Sequence, residues 1–118
     1  MKDATLEAAR RAAVVSPSRL RAFFSPRSVA VVGCSESSSW ARWLLNSIEL
    51  PGCDAMTVIP VNPNRTEVFG RRSVPSVSAL PQPVDLAFIM TPAHTVEPIL
   101  EEVSAAGIRN AEIGRAHV

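Results

Sequence analysis

The chain has 118 residues and a net charge of +1, with 47% hydrophobic and 19% charged residues. This composition is typical of a soluble globular protein, and the length allows one domain. No apolar run approaches the ~20 residues of a membrane helix, and Asp3 and Glu7 interrupt the arginine-rich start of the chain. We therefore expect no membrane span, no secretory signal and a cytoplasmic location. Two cysteines without a CxxC pair predict small buried residues, and no metal site is expected.

The charge is distributed unevenly along the chain. Residues 1–27 carry six basic and two acidic side chains, a net +4, whereas the remainder carries six basic and nine acidic ones, a net −3. A basic arm is one signature of nucleic-acid binding. No aromatic residues are interleaved with these arginines, however, so we expect a solvated helix face and no nucleic-acid partner. Residues 1–18 are interpreted as a helical or disordered basic arm, because helix formers at 4–14 are followed by Ser-Pro-Ser.

The first half of the remaining chain alternates helical and strand patterns. Residues 18–24 predict a short helix with its apolar side chains on one face. A β-branched run at 28–33, closed by glycine, predicts a strand buried on both faces. Residues 40–48 place apolar side chains at helical spacing, and a second strand is predicted at 56–61.

The second half continues the alternation after a long irregular stretch. Residues 62–83 are rich in Pro, Gly and Ser and predict a loop with room for one helical turn. A third buried strand at 84–90 leads into an amphipathic helix that begins near 94–97 and stops at Gly107. The order of strand, helix, strand, loop, strand and helix predicts an α/β, Rossmann-like doubly wound fold with a mainly parallel sheet.

Ligands of doubly wound sheets bind at the carboxyl ends of the strands. Here those ends are predicted at 33–35, 62–65 and 91–93. A dinucleotide fingerprint needs three glycines after the first strand and an acidic residue at the end of the second. The chain has Gly33 alone and ends the second strand in Asn62. Because no GK[ST] sequence follows either, the loop predicts neither a dinucleotide site nor a P-loop.

The helix that starts near Ser38 offers free backbone N–H groups beside several hydroxyls, which is a general anion site. The alternative is that these serines only cap the helix. Arg65, just past the second strand, favours a ligand with more than one phosphate. The alternative for Arg65 is an ordinary solvated loop residue.

Five segments stand in a specific order and spacing between Leu20 and Ala111: "LRAFFSPRSVAVVGCS", "IPVNPN", "EVFG", "VPSVSALPQPVDLAFIMTPA" and "AAGIRNA". In these segments the chain resembles the CoA-binding domain of NDP-forming acyl-CoA synthetases, which include ADP-forming acetate–CoA ligases and the succinyl-CoA synthetase α subunit. The resemblance implies that loop amides meet the CoA phosphates, that Arg65 is a basic phosphate ligand and that 91–93 walls the ligand. The implied CoA-binding residues are Gly33, Cys34, Ser35, Glu36, Ser37, Ser38, Asn62, Pro63, Asn64, Arg65, Thr91, Pro92 and Ala93.

The chain departs from the family loop at two later glycine positions, which are Ser39 and Arg42 here. Arg42 either adds a phosphate contact or closes part of the site. His94 is interpreted as a loop residue, with contact to CoA as the alternative, and not as the phosphohistidine of the family. No catalytic residue is predicted. Trp40 and Trp43 are interpreted as core residues in preference to adenine-stacking ones.

These features predict the CoA-binding module of an NDP-forming acyl-CoA ligase, which binds and orients CoA for thioester formation and is not catalytic by itself. The phosphohistidine and ATP-grasp domains are the missing partners, and ATP or ADP would enter only through them. One alternative is a stand-alone CoA-binding or sensing protein without catalysis. Another, against which the loop argues, is a nicotinamide-dependent oxidoreductase.

The last seven residues fit this fold poorly. Family members continue after this point with an apolar strand, but the chain reads "EIGRAHV", with Arg115 and His117 where a strand would be buried. One back-translation of 112–118 resembles a common short-read sequencing adapter that runs into a stop codon. We therefore expect 19–111 to be a domain truncated at its C-terminus, 112–118 to be a non-native tail, and the sheet to lack its next strand.

Overall fold

The structure, a computed structural model, describes residues 16–48 and 56–114. The predicted arm helix at 4–14 and Cys53 lie outside these ranges. The α-helices of the described residues are α1 (Pro17–Phe24), α2 (Ser39–Ile48) and α3 (Val96–Ala105). The strands are β1 (Ser28–Val32), β2 (Thr57–Val61), β3 (Glu67–Val68), β4 (Arg71–Arg72), β5 (Leu86–Ile89) and β6 (Ala111–Ile113).

Four of these strands form one parallel sheet in the order β2–β1–β5–β6. Strand β1 is central, since its Val29 pairs with Val58 on one side and with Leu86 on the other. The chain reaches β2 on one side of β1 and then crosses to β5 on the other side. This topology confirms the predicted Rossmann-like α/β fold with a parallel sheet.

The central strand is buried on both faces because its side chains alternate between two apolar clusters. Ala30 and Val32 belong to one cluster, which also contains Val103 of α3. Val31 belongs to the other cluster, which contains Ala41 of α2. Full burial of a valine-sized side chain contributes about 1.5–3 kcal/mol, so these two clusters hold helices to opposite faces of the sheet.

Local sequence signals set the helix ends. The Ser16 side chain accepts a hydrogen bond from the backbone N–H of Arg19 (3.3 Å) and thereby caps α1. In α3, Pro98 lies in the first turn, where it removes no intrahelical hydrogen bond. Gly107 follows the helix with a φ of +82°, a conformation that glycine adopts without strain. The predicted start and stop of this helix are confirmed.

The stretch 62–83 holds more regular structure than predicted. Its helical turn is the 3₁₀ turn Val77–Ala79. In addition, β3 and β4 pair as an antiparallel hairpin, with Phe69 (φ +50°) and Gly70 (φ +74°) at its turn. Strands of two residues are too short to display the alternation that predicts a strand, and for that reason the pattern did not indicate the hairpin.

The predicted absence of a further strand was wrong. Strand β6 pairs in parallel with β5, and the N–H of Gly114 donates to the carbonyl of Ile89 (2.8 Å). Backbone groups of β5 supply these bonds, so they do not require apolar side chains in the partner strand. Ile113 remains 50% exposed at the sheet edge. That residues 112–118 are non-native stays a prediction.

The predicted core position of Trp43 was also wrong, because its side chain is 56% exposed. Helix α2 turns Ala41 and Leu44 toward the sheet, and Trp43 falls on a different face at 100° per residue. The side chain of Trp40 lies outside the described part of the structure. None of the helices within the described ranges has the length and apolar character needed to span a bilayer.

Candidate functional site

Three segments meet at the carboxyl edge of the parallel sheet, where β1, β2 and β5 end. The N–H of Gly33 donates to the carbonyl of Val61 at the end of β2 (3.0 Å). The N–H of Met90, just past β5, donates to the carbonyl of Val32 (2.8 Å). The structure therefore brings the strand ends at 33–35, 62–65 and 91–93 to one edge of the sheet, as the sequence predicted.

Gly33 lies where the chain leaving β1 passes very close to the chain leaving β5. Its φ is +84°, and a Cβ at this position would lie 2.8 Å from Cγ2 of Thr91 and 3.1 Å from the carbonyl oxygen of Met90. Both the conformation and the crowding favour glycine. Close packing against the segment after β5 therefore explains a glycine at position 33, although the other glycines of a dinucleotide-binding loop are missing here.

Asn62 ties the first two segments together. Its Nδ2 donates to the carbonyl of Cys34 (3.0 Å), and its Oδ1 accepts from the N–H of Asn64 (2.8 Å). Both polar atoms of this side chain are therefore engaged by the protein. Asn62 shapes the site, and its neighbours Pro63 and Asn64 are exposed beside it.

The loop serines have two kinds of role. Oγ of Ser38 accepts from the N–H of Ala41 (3.2 Å), so Ser38 caps α2 as the alternative interpretation proposed. Oγ of Ser35 and Oγ of Ser37 lie 3.0 Å apart and share a hydrogen bond. Because the two hydroxyls share only one hydrogen bond, they can still donate and accept further ones. They precede the first turn of α2, whose backbone N–H groups have no partner within the helix.

The β3–β4 hairpin packs against this loop, which the sequence did not indicate. Oε1 of Glu36 accepts from the N–H of Phe69 (3.1 Å). Nη2 of Arg42 donates to the carbonyl of Glu36 (3.4 Å), and its guanidinium lies 5.8 Å from the centroid of the Phe69 ring. We call Glu36, Arg42 and Phe69 the clasp. The only local signal for it was the aromatic-glycine turn in "EVFG".

Cys34 is fully buried in the cluster under α2. Burial raises the pKa of its thiol to about 11, and the positive charge of Arg71 on the hairpin offsets only part of that rise. A thiol in this state is a poor nucleophile at neutral pH. Its predicted burial is confirmed, and its part in the site is limited to backbone contacts.

Two side chains offer polar groups beyond the loop itself. Arg65 is exposed in the segment after β2, so its charge is accessible to a ligand. Oγ1 of Thr91 is buried and has no hydrogen-bond partner among residues 16–48 and 56–114. A buried hydroxyl normally finds a partner, so this atom fits a site whose ligand supplies one.

The segment after Thr91 continues along the same edge of the sheet. Pro92 and Ala93 are exposed there, and the segment ends in a 3₁₀ turn with exposed His94.

A cavity of about 550 Å³ lies at the opposite, amino-terminal edge of the sheet. Its wall includes Arg19 and Arg109, and Nη2 of Arg19 donates to the carbonyl of Arg109 across it (2.9 Å). The carboxyl edge is the better candidate site, since the loop amides, the helix start and Arg65 converge there. Backbone N–H groups beside the exposed cation of Arg65 are suited to an anionic ligand.

The segments of this edge all fall within a match to a known family. The model of the family described as "CoA binding domain" matches residues 27–114. Over 98 residues the chain is 34% identical to acetate–CoA ligase II (ADP-forming) from Archaeoglobus fulgidus, covering 80% of this chain and 14% of the ligase. Over 89 residues it is 34% identical to the ADP-forming 4-hydroxybutyrate–CoA ligase from Nitrosopumilus maritimus, covering 75% and 13%.

Solved structures agree with the sequence matches. The chain superposes on acetyl-coenzyme A synthetase 1 from Candidatus Korarchaeum cryptofilum with a TM-score of 0.67 and 32% identity, covering 78% of this chain and 20% of the synthetase. A conserved hypothetical protein from Pyrococcus furiosus gives a TM-score of 0.65 and 27% identity, covering 75% of this chain and 74% of that protein. The chain spans about one seventh of the length of these two ligases. Because the family model covers well over half of the chain, this protein belongs to the CoA-binding domain family.

Proposed function

We propose that this chain binds CoA at the carboxyl edge of its sheet and serves as the CoA-binding module of an NDP-forming acyl-CoA ligase. The observation that carries the proposal is that the family match includes all three segments of that edge, and the similar ligases are ADP-forming enzymes. In this role the chain binds and orients CoA, while thioester chemistry belongs to the rest of the enzyme.

The site offers groups that suit the phosphates of CoA. The N–H groups at the start of α2 and the hydroxyls of Ser35 and Ser37 provide donors at the loop. Arg65 provides a cation on the neighbouring segment. The buried hydroxyl of Thr91 provides a further donor whose partner would be the ligand. CoA carries a diphosphate and a separate 3′-phosphate, so two separated sets of donors fit its charge distribution.

We expect CoA to bind more tightly than NAD. In dinucleotide sites an acidic residue at the end of the second strand holds the ribose of NAD, and this chain has Asn62 there. A carboxylate there would accept from the ribose hydroxyls, whereas Oδ1 of Asn62 already accepts from Asn64. Calorimetry on the full chain with CoA, acetyl-CoA, NAD and ATP measures this preference. An NAD dissociation constant equal to or below that of CoA would contradict the proposed function.

Arg65→Ala is expected to weaken CoA binding about tenfold, or about 1.4 kcal/mol, and to affect dephospho-CoA much less. The reason is that we propose a contact between Arg65 and the 3′-phosphate of CoA, which dephospho-CoA lacks. Added salt should reduce the preference of the wild type for CoA, since salt screens exposed charges. Arg109→Ala is the matched control, because it removes the same charge at the opposite edge. Equal losses for CoA and dephospho-CoA would assign Arg65 to the solvated surface.

A second candidate function is a stand-alone CoA-binding protein. The similarity to a hypothetical protein of which the chain covers 74% favours it, because that protein is close to a single domain in size. Sequencing the source locus distinguishes the two candidates. A reading frame that continues into phosphohistidine and ATP-grasp domains supports the ligase, and a frame that ends soon after the sheet supports the stand-alone protein.

A further inference from the structure

We propose that Arg42 is a positioning residue that fixes the phosphate-binding loop against the β3–β4 hairpin and does not itself bind phosphate. The inference rests on the proposed CoA site. Arg42 stands where the family loop has a glycine, and the sequence left open whether it adds a phosphate contact or closes part of the site.

The two side-chain contacts that Arg42 makes in the described part of the chain both lie within the clasp. Its Nη2 donates to the carbonyl oxygen of Glu36, and its guanidinium carbon lies over the ring of Phe69, 5.8 Å from the ring centroid. The carboxylate of Glu36 in turn accepts from the N–H of Phe69. Loop, helix and hairpin are therefore joined in a closed ring of three contacts.

The hairpin is a firm support for these contacts. Val68 is fully buried in the cluster under α2, and the N–H of Ser73 donates to the carbonyl of Thr66 across the hairpin (2.9 Å). Phe69 holds a φ of +50°, which a residue with a side chain adopts only where its surroundings impose it. The clasp thus fastens an exposed loop to an element that is already fixed.

Geometry connects the clasp to the ligand. In a trans peptide the C=O and N–H groups point in opposite directions. When Arg42 draws the carbonyl oxygen of Glu36 toward itself, the N–H of Ser37 is directed to the other side of the peptide, away from the guanidinium of Arg42. Arg42 therefore sets the direction of a backbone donor without touching the ligand.

The test measures CoA affinity of the full chain over a range of salt concentrations for Arg42→Ala, Arg42→Lys, Phe69→Leu and the double variant Arg42→Ala/Phe69→Leu. We expect each single substitution to weaken CoA about fivefold and the double variant to weaken it no further, because all of them open the same clasp. We expect lysine to give no rescue, since it lacks the planar fork that both donates and stacks. The salt dependence of binding should equal that of the wild type, because no cationic side chain is removed from the phosphates.

Several results would overturn the inference. Rescue by lysine together with a weaker salt dependence in Arg42→Ala would make Arg42 a phosphate ligand. Wild-type affinity in Arg42→Ala would show that the clasp does not contribute to CoA binding. Additive losses in the double variant would show that Arg42 and Phe69 act independently and not through one clasp. Circular dichroism checks that each variant folds. If Phe69→Leu does not fold, Arg42→Ala and Arg42→Lys, which change an exposed side chain, decide between a positioning role and a phosphate contact. Failure of the wild type to bind CoA would instead contradict the proposed function.

Discussion

Gly33→Ala is expected to lower the free energy of unfolding by about 3 kcal/mol and to weaken CoA binding more than tenfold. The added methyl group would meet Thr91 and the backbone of Met90 at 2.8–3.1 Å, and the φ of +84° is unfavourable for alanine. Relief of the clash moves Thr91 away from β1, so the wall of the proposed site is displaced together with the loop. Urea denaturation and calorimetry measure the two effects.

Gly70→Ala is the matched control for this substitution. Gly70 has a similar φ of +74°, but a Cβ there would have no atom within 4 Å. We expect a loss of only about 1 kcal/mol, from the backbone conformation alone. The difference between the two variants isolates the close approach of β1 and β5. Equal losses at the two positions would show that this approach carries no penalty.

The thiol of Cys34 is expected to react with iodoacetamide at least about a hundredfold more slowly at pH 8 than an unhindered cysteine. Its pKa is raised from 9.0 to about 11, so the thiolate fraction at this pH falls by that factor, and burial limits access as well. A Cys53→Ala background confines the measurement to this one thiol, because the chain has two cysteines. A rate equal to that of free cysteine would refute the burial of the thiol.

The same pKa predicts how stability depends on pH. The unfolded chain releases the thiol proton near pH 9.0, and the folded chain releases it only near pH 11. Between these values the unfolded state binds fewer protons, so stability is fully present below pH 9 and falls as the pH rises toward 11. Cys34→Ala should remove this part of the alkaline loss. An unchanged pH dependence in that variant would assign the loss to other groups.

The layers of the fold could be predicted because each depends on a local pattern. A β-branched run predicted β1, a short apolar run predicted β5, and the helical spacing before Gly107 predicted α3 with its correct end. The three strand ends then predicted which segments share an edge, because parallel strands carry their carboxyl ends to one side. Hydrogen bonds that join these segments, such as the one from Asn62 to the carbonyl of Cys34, agree with that expectation.

The remaining features depend on contacts between distant positions, which no local pattern encodes. The clasp joins Glu36 to Phe69 across 33 residues, and neither residue is unusual in its own segment. Strand β6 is joined to β5 by backbone hydrogen bonds, and its Ile113 side chain remains half-exposed at the sheet edge. Trp43 was misplaced because a large apolar residue in an amphipathic helix is ordinarily buried, whereas here the small Ala41 faces the sheet.

The two hydrogen bonds of the Asn62 side chain also bear on the thermodynamics of ligand binding. They hold the segments after β1 and β2 in one arrangement before any ligand arrives. The conformational entropy of ordering these segments is therefore lost during folding and not during association. Preorganisation of this kind favours a rigid recognition surface. The backbone of these segments then keeps one conformation, and the exposed side chains on it determine the affinity for a ligand.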